Sequence, residues 1–169
     1  MYVGLISDTH SVFDDRFRTF LDPVDEIWHA GDWGGDAGFI SDIKAFKPVI
    51  GVYGNCDGQE ARLEFPSFQY FKREGLSILM THIGGSPGHY DIRAQALIDR
   101  YRPHIFVCGH SHILKVMNDS ANDMMYINPG ACGLQGWHVV RTALRFRIED
   151  ARIRDMEVFE LKRDRIKDM

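Results

Sequence analysis

Five short apolar runs recur along the chain, and each ends on a residue able to bind a metal ion. Tyr2 to Ser7 leads into Asp8 and His10, Glu26 to Ala30 into Asp32, and Val49 to Tyr53 into Asn55. Leu76 to Thr81 leads into His82, and Ile105 to Cys108 into His110 and His112. The runs are short, partly β-branched or aromatic, and mostly end near glycine, which predicts strands. Between them, Ala37, Ile40, Ile43 and Phe46 recur at helical spacing behind Asp36, a capping residue. Tyr90, Ala94, Leu97, Ile98 and Tyr101 predict a second helix, and Asp14 to Leu21 a weaker one. Alternation of this kind implies an α/β sheet. Ligands of open α/β sheets gather outside the carboxyl ends of the strands, so the seven side chains are expected to converge on one crevice.

The donors form a chemically consistent set. Asp8, Asp32 and Asn55 offer oxygen, and His10, His82, His110 and His112 offer imidazole nitrogen. Such donors suit Mn²⁺, Fe²⁺ or Zn²⁺ better than a thiolate-seeking ion. Seven exceed the needs of one tetrahedral zinc site. Two ions sharing a bridging carboxylate would use them all, and paired ions about 3.5–4 Å apart are a recurrent device for phosphoryl transfer. Gly31-Asp32, Gly54-Asn55 and Gly109-His110 each set a glycine before a donor, where a sharp turn or close approach is needed. Each pair alone is an ordinary turn dipeptide, whereas the ordered set is specific.

The C-terminal part reads differently. His112 to Asn118, Met124 to Asn128, Val139 to Glu149 and Arg152 to Leu161 predict strands, with a hairpin turn at Glu149-Asp150. Val140, Leu144, Phe146 and Ile148 share one face, and Arg141, Arg145 and Arg147 the other. This antiparallel part is expected to pack on the first sheet as a second layer. The mixed charge run from Lys162 to Asp168 reads as a solvated tail.

With 169 residues, the chain suits one domain over 1–169. A net charge of −4 offers no track for extended nucleic acid and no general attraction to anionic membrane. Cys56, Cys108 and Cys132 are odd in number and form no C-x-x-C, which excludes a disulfide framework and a thiolate zinc site. No signal-peptide pattern opens the chain, and no stretch approaches the ~20 apolar residues of a membrane span. A cytoplasmic protein is expected, with a homo-oligomer left open.

Asp8-Thr9-His10, Gly31-Asp32, Gly54-Asn55-Cys56-Asp57, Thr81-His82 and Gly109-His110-Ser111-His112 together resemble the signature of calcineurin-like metallophosphoesterases. Asn128-Pro129-Gly130 resembles a further motif of the compact branch of that family. The resemblance implies a four-layer α/β/β/α sandwich of two mixed β-sheets flanked by helices. It implies that Asp8, His10, Asp32 and His112 bind one ion and that Asn55, His82 and His110 bind a second. Asp32 would bridge them, and a water between the ions would be the nucleophile. Mn²⁺ is the expected ion, with Zn²⁺, Fe²⁺, Ni²⁺ or Mg²⁺ compatible. Asn55, Cys56 and Asp57 are expected to face a small phosphate-ester substrate, with a supporting partner behind the ligands or a turn residue as the other readings of Asp57.

Cys56 stands where many members carry histidine, and no arginine follows Asp32. Both departures favour phosphodiesters, such as a small nucleotide-derived one, over monoesters. Phosphomonoesterase activity and a protein-interaction scaffold on the same fold are the alternatives. His29 is expected to support the ligands from behind rather than bind metal. Trp33 and Trp137 lie in glycine-bounded loops and are candidate substrate-facing rings.

Overall fold

The computed structural model describes residues 1–163. In chain order the elements are β1 (Tyr2–Ile6), α1 (Asp15–Leu21), β2 (Glu26–His29), α2 (Ala37–Phe46), β3 (Val49–Gly51) and α3 (Gln59–Glu64). There follow β4 (Phe68–Arg73), β5 (Leu76–Thr81), the two-residue strands β6 (Gly85–Ser86) and β7 (His89–Tyr90), and α4 (Ile92–Tyr101). The chain continues through β8 (Ile105–Val107), β9 (Leu114–Asp119), β10 (Met124–Pro129), β11 (Val140–Glu149) and β12 (Arg152–Lys162).

The larger strands form two five-stranded sheets, ordered β12-β11-β1-β2-β3 and β4-β5-β8-β10-β9. Each is mixed, with a parallel core of β1, β2 and β3 in the first and β5, β8 and β10 in the second. The sheets bury Val3, Leu5, Trp28, Leu144 and Phe146 against Ile78, Met80, Val107 and Ile127. Phe17 and Leu21 of α1 cover the outer face of the first sheet, and Ala94 and Ile98 of α4 that of the second. This is the expected α/β/β/α order. Among the described residues, no helix is long and apolar enough to cross a membrane.

The expected helices start on their capping carboxylates. Asp14 accepts from the Arg16 amide, Asp36 from Phe39, and Asp91 from Arg93 and Ala94. These bonds satisfy amides that lack an intrahelical partner. Tyr90 precedes its helix, but its ring still packs with that helix's apolar face.

The C-terminal strands depart from expectation. They form no separate layer but are shared between the two sheets. β11 pairs antiparallel with β1, setting Tyr2 opposite Arg147 and Leu5 opposite Leu144, while β10 pairs parallel with β8. Joining an existing edge satisfies its open backbone groups and places Leu144, Phe146 and Ile148 in the shared core. The final hairpin turns at Asp150-Ala151, one residue later than expected, with φ of 51° and 55° at the two positions. Two left-handed central residues are what a tight hairpin needs.

Arg141, on the face opposite Leu144 and Phe146, is buried. Its guanidinium lies 5.0 Å from the Phe17 ring centroid and 3.3 Å from the Asp14 carboxylate. Four elements carried no legible signal, the two-residue strands β6 and β7 among them. α3 is short and lacks a side-chain cap, and β4 alternates only weakly between half-buried and exposed positions. Of the expected charged tail, residues from Asp164 onward lie outside the described residues.

Candidate metal centre

The loops after β1 and β2 are zipped together by backbone bonds. The Asp8 amide donates to the Gly31 carbonyl at 2.9 Å, His10 to Asp32 at 3.1 Å, and Ser11 to Trp33 at 2.8 Å. Two other loops join them, since the Gly109 amide donates to His82 and the Gly133 amide to Asp8, both at 2.9 Å. Strand ends scattered through the chain thereby meet at one place.

Asp8, His10 and His112 present ligand atoms that all lie within 4.8 Å of one another, and so do Asp32, His82 and His110. Asp8, His10, Asp32, His110 and His112 all adopt positive φ, between 43° and 71°. Left-handed backbone outside glycine is costly and persists where surrounding structure over-determines it. Here the turn directs each side chain back across the strand ends. At Gly31, with φ of 99°, a Cβ would sit 2.7 Å from the His82 ring, so only glycine fits.

The two carboxylates are each tied on one oxygen and open on the other. Asp8 Oδ2 accepts from Ser7 Oγ at 2.6 Å and from the His110 amide at 3.1 Å. Its Oδ1 faces His112 Nε2 at 3.0 Å and His10 Nε2 at 3.7 Å. Asp32 Oδ1 accepts from the Cys56 amide at 2.9 Å, and its Oδ2 faces His82 Nε2 at 3.2 Å and His10 Nε2 at 3.7 Å. Asp32 Oδ2 thus meets an imidazole from each triad. Burial opposes the charge on Asp8, but the His10 and His112 imidazoles and the Ser7 hydroxyl beside it hold its carboxyl well below the usual range. Burial likewise opposes a proton on His82, yet the Asp32 and Asp8 carboxylates outweigh it and raise its pKa.

The imidazoles are held from behind. His82 Nδ1 donates to the Ala30 carbonyl at 2.7 Å, which leaves Nε2 as a lone-pair donor toward Asp32. His138 Nε2 donates to the Gly133 carbonyl at 3.0 Å, so its Nδ1 can accept from His112 Nδ1 at 3.2 Å. That chain aims His112 Nε2 at Asp8 Oδ1, 3.0 Å away. Partners of this kind fix the tautomer of a metal-binding histidine. His10 Nε2 and His82 Nε2 are buried with no hydrogen-bond partner. Buried polar atoms are rarely left unsatisfied. Two such nitrogens facing carboxylate oxygens have the chemistry of a cation site, and the residues therefore fit divalent ions.

Asn55 and Cys56 are exposed at the rim, Asn55 lining a cavity with His82. Burial and the Asp32 carboxylate raise the Cys56 pKa, so it stays a thiol. Asp57 does not face substrate as expected. It is buried, and its oxygens accept from the Gly34 amide at 3.0 Å and the Gly54 amide at 2.8 Å, bracing two donor loops together.

His29 sits behind the cluster as expected. Its Nδ1 accepts from the Gly31 amide and its Nε2 donates to Thr9 Oγ1, with burial lowering its pKa to about 3. The Trp33 ring does not face substrate: it is stacked between His29 and Phe65 at centroid distances of 3.7 and 4.3 Å. Trp137 is fully exposed. Asn128 donates to the Gly109 carbonyl at 2.9 Å and to Ser111 Oγ at 3.0 Å, which secures the histidine-bearing loop.

The contact of His138 with His112 is not anticipated by the sequence analysis. The only local signal was its position two residues beyond Gly136 in a glycine-bounded loop.

The sequence model of the calcineurin-like phosphoesterase superfamily domain matches residues 1–151. No curated protein matches. Among solved structures, Vps29 of Entamoeba histolytica complexed with Zn²⁺ is similar at 16% identity and a TM-score of 0.73, over 97% of this chain and 100% of that one. A predicted phosphoesterase from Streptococcus pneumoniae aligns at 19% identity and 0.65, over 96% and 89%. Chaetomium thermophilum Vps29 in complex with a cyclic peptide aligns at 14% and 0.63, over 96% of each chain. At these identities the likeness is one of fold.

Proposed function

Because the chain belongs to the calcineurin-like phosphoesterase superfamily, we propose that it is a metal-dependent phosphoesterase that prefers small phosphodiesters. The observation that carries this reading is the pair of buried, partnerless nitrogens, His10 Nε2 and His82 Nε2, facing the open oxygens of Asp8 and Asp32. Asp8, His10 and His112 would hold one divalent ion, His82, His110 and Asn55 a second, and Asp32 would be shared. Mn²⁺ is the proposed ion, and the Zn²⁺ complex of the Entamoeba Vps29 supports an imidazole–carboxylate site on this fold. When bound, such a pair neutralises phosphoryl oxygens and lowers the pKa of water, so that a nucleophile forms near neutral pH.

The chain's own residues position and exclude. Ser7 Oγ is buried and bonded to Asp8, so it is not a nucleophile. Ser111 Oγ accepts from Asn128 and from the Ile113 amide, which fits a loop brace. Asn55 stands at the rim, where its amide can meet a phosphoryl oxygen. Cys56 beside it is a weak hydrogen-bond donor, and its raised pKa makes it a poor acid for a departing alkoxide. General acid catalysis typically contributes about 10²–10⁴-fold and matters most for basic leaving groups. Good leaving groups and diester monoanions are therefore the proposed substrates.

The test compares specificity constants for bis(p-nitrophenyl) phosphate, p-nitrophenyl phosphate and an alkyl phosphate in Mn²⁺, with metal counted per chain. The expected result is two ions and a diester preference that Cys56→His narrows by about tenfold or more. Saturation at one ion, or preference for the alkyl ester, would overturn the respective part.

A protein-binding scaffold is the second reading. It is favoured by the fold shared with Vps29, seen in one case with a bound cyclic peptide. The complete donor set supports the enzyme, and absence of turnover with both ions bound would favour the scaffold.

A further inference from the structure

A cavity of about 650 Å³ opens beside the metal centre. His82 and Asn55 form part of its wall, whereas Asp8, His10 and His112 do not. Its volume lies in the range of small-molecule sites, well beyond what a lone phosphoryl group requires. Arg62 of α3 and Arg93 and Arg100 of α4 line it, against one carboxylate, Asp91. Asp91 is already engaged as the cap of α4. Ion pairs of the described arginines run through Arg16, Arg18, Arg73, Arg141, Arg145 and Arg147, and none involves the three in this cavity. Arg62 is held in place, with Nε donating to the Asp57 carbonyl at 2.7 Å and its guanidinium 4.5 Å from the Tyr53 ring centroid. Phe68 and Leu97 add an apolar wall between the arginines.

These features suit an anion other than the phosphoester at the metal centre. Three guanidinium groups against one carboxylate leave a surplus of two positive charges in the cavity. A phosphate monoester carries about −1.5 to −2 near neutral pH, which matches that surplus. Guanidinium forks also suit phosphate oxygens, which they can bind in pairs. We infer that this cavity holds the non-scissile arm of the substrate, and that this arm carries a second phosphate group on a ring-sized apolar body. The inference rests on the phosphoesterase reading for its orientation. The metal centre takes the scissile phosphodiester, and the arginines take the terminal phosphate.

The experiment uses two chromogenic nucleoside probes in Mn²⁺: thymidine 5′-(p-nitrophenyl phosphate) and the same ester with an added 3′-phosphate. Specificity constants are measured for the full chain, for Arg93→Gln/Arg100→Gln, and for Arg154→Gln, whose arginine is exposed on β12. In parallel, calorimetry compares thymidine 5′-phosphate with thymidine 3′,5′-bisphosphate, a measurement that needs no turnover. The 3′-phosphate is expected to raise both specificity constant and affinity by about tenfold or more, the range of charge-assisted hydrogen bonds. The double variant should lose most of that ratio, and Arg154→Gln should keep it. A ratio near one in both measurements overturns the inference while leaving the phosphoesterase reading intact. Turnover of neither ester, with an arginine-dependent bisphosphate preference in calorimetry, upholds the cavity and overturns the phosphoesterase reading. A preference that survives in the double variant places the second phosphate elsewhere and overturns the inference.

Discussion

The metal centre and the arginine-lined cavity share His82 but are built by opposite means. The centre is made of strand ends, with five donor positions in left-handed backbone, and its two carboxylates are buried and each tied on one oxygen. The cavity is walled by α4, Arg62 of α3 and the loops that carry Asn55 and His82, and its three arginines are exposed with no positive φ. The difference follows from what each must hold. Close-packed donors of like charge tolerate no drift, so strain is accepted to fix them. A single anion, as proposed for the cavity, would be met by exposed cations whose reach matters more than precision.

The largest effect is expected where that precision is concentrated. Asp32→Asn should lower turnover of bis(p-nitrophenyl) phosphate by more than about a hundredfold and weaken Mn²⁺ retention, since its Oδ2 faces imidazoles of both triads. Near-normal turnover at limiting metal would break the contrast at its strongest point.

Asp57→Ala should cost about 2 kcal/mol of stability in urea unfolding, because the Gly34 and Gly54 amides lose their acceptor in a part-buried loop. A change below about 0.5 kcal/mol would mean that the donor loops do not depend on this brace.

His138→Ala should weaken metal binding by about tenfold, through loss of the chain that orients His112. The neutral acceptor His138→Gln should recover part of the loss. Equal affinity in all three proteins would remove His138 from the site.

Smallest of all, Arg100→Gln should change thermal stability by no more than about 0.5 kcal/mol, as expected for an exposed side chain with no carboxylate partner among the described residues. A larger loss would show that the cavity is as interlocked as the metal centre.

Much of the centre was legible in the sequence because donor placement at strand ends is local. A short apolar run, a glycine and a polar residue suffice to mark it, and all five donor-bearing strands are found where the runs lie. Leu76 to Thr81 matches β5 residue for residue, and Asp36 caps its helix as its position suggested. His138 left no such trace, because it reaches His112 only through the loop that enters β11. Trp33 misled for a related reason: its glycine-bounded loop looked open, but His29 and Phe65 close over both faces of the ring.

The chain's order of residues by itself determined the kinds of donor, their order and the strand–helix alternation that gathers them. These depend on spacing and side-chain chemistry within a few residues. Tertiary structure alone decided that the C-terminal hairpins extend both sheets rather than form a layer, since that depends on which strand edges remain unpaired. It also decided that His10, His82 and His112 turn Nε2 to the carboxylates, and that arginines of α3 and α4 share one cavity. Those outcomes rest on contacts between distant segments, and no local pattern encodes them.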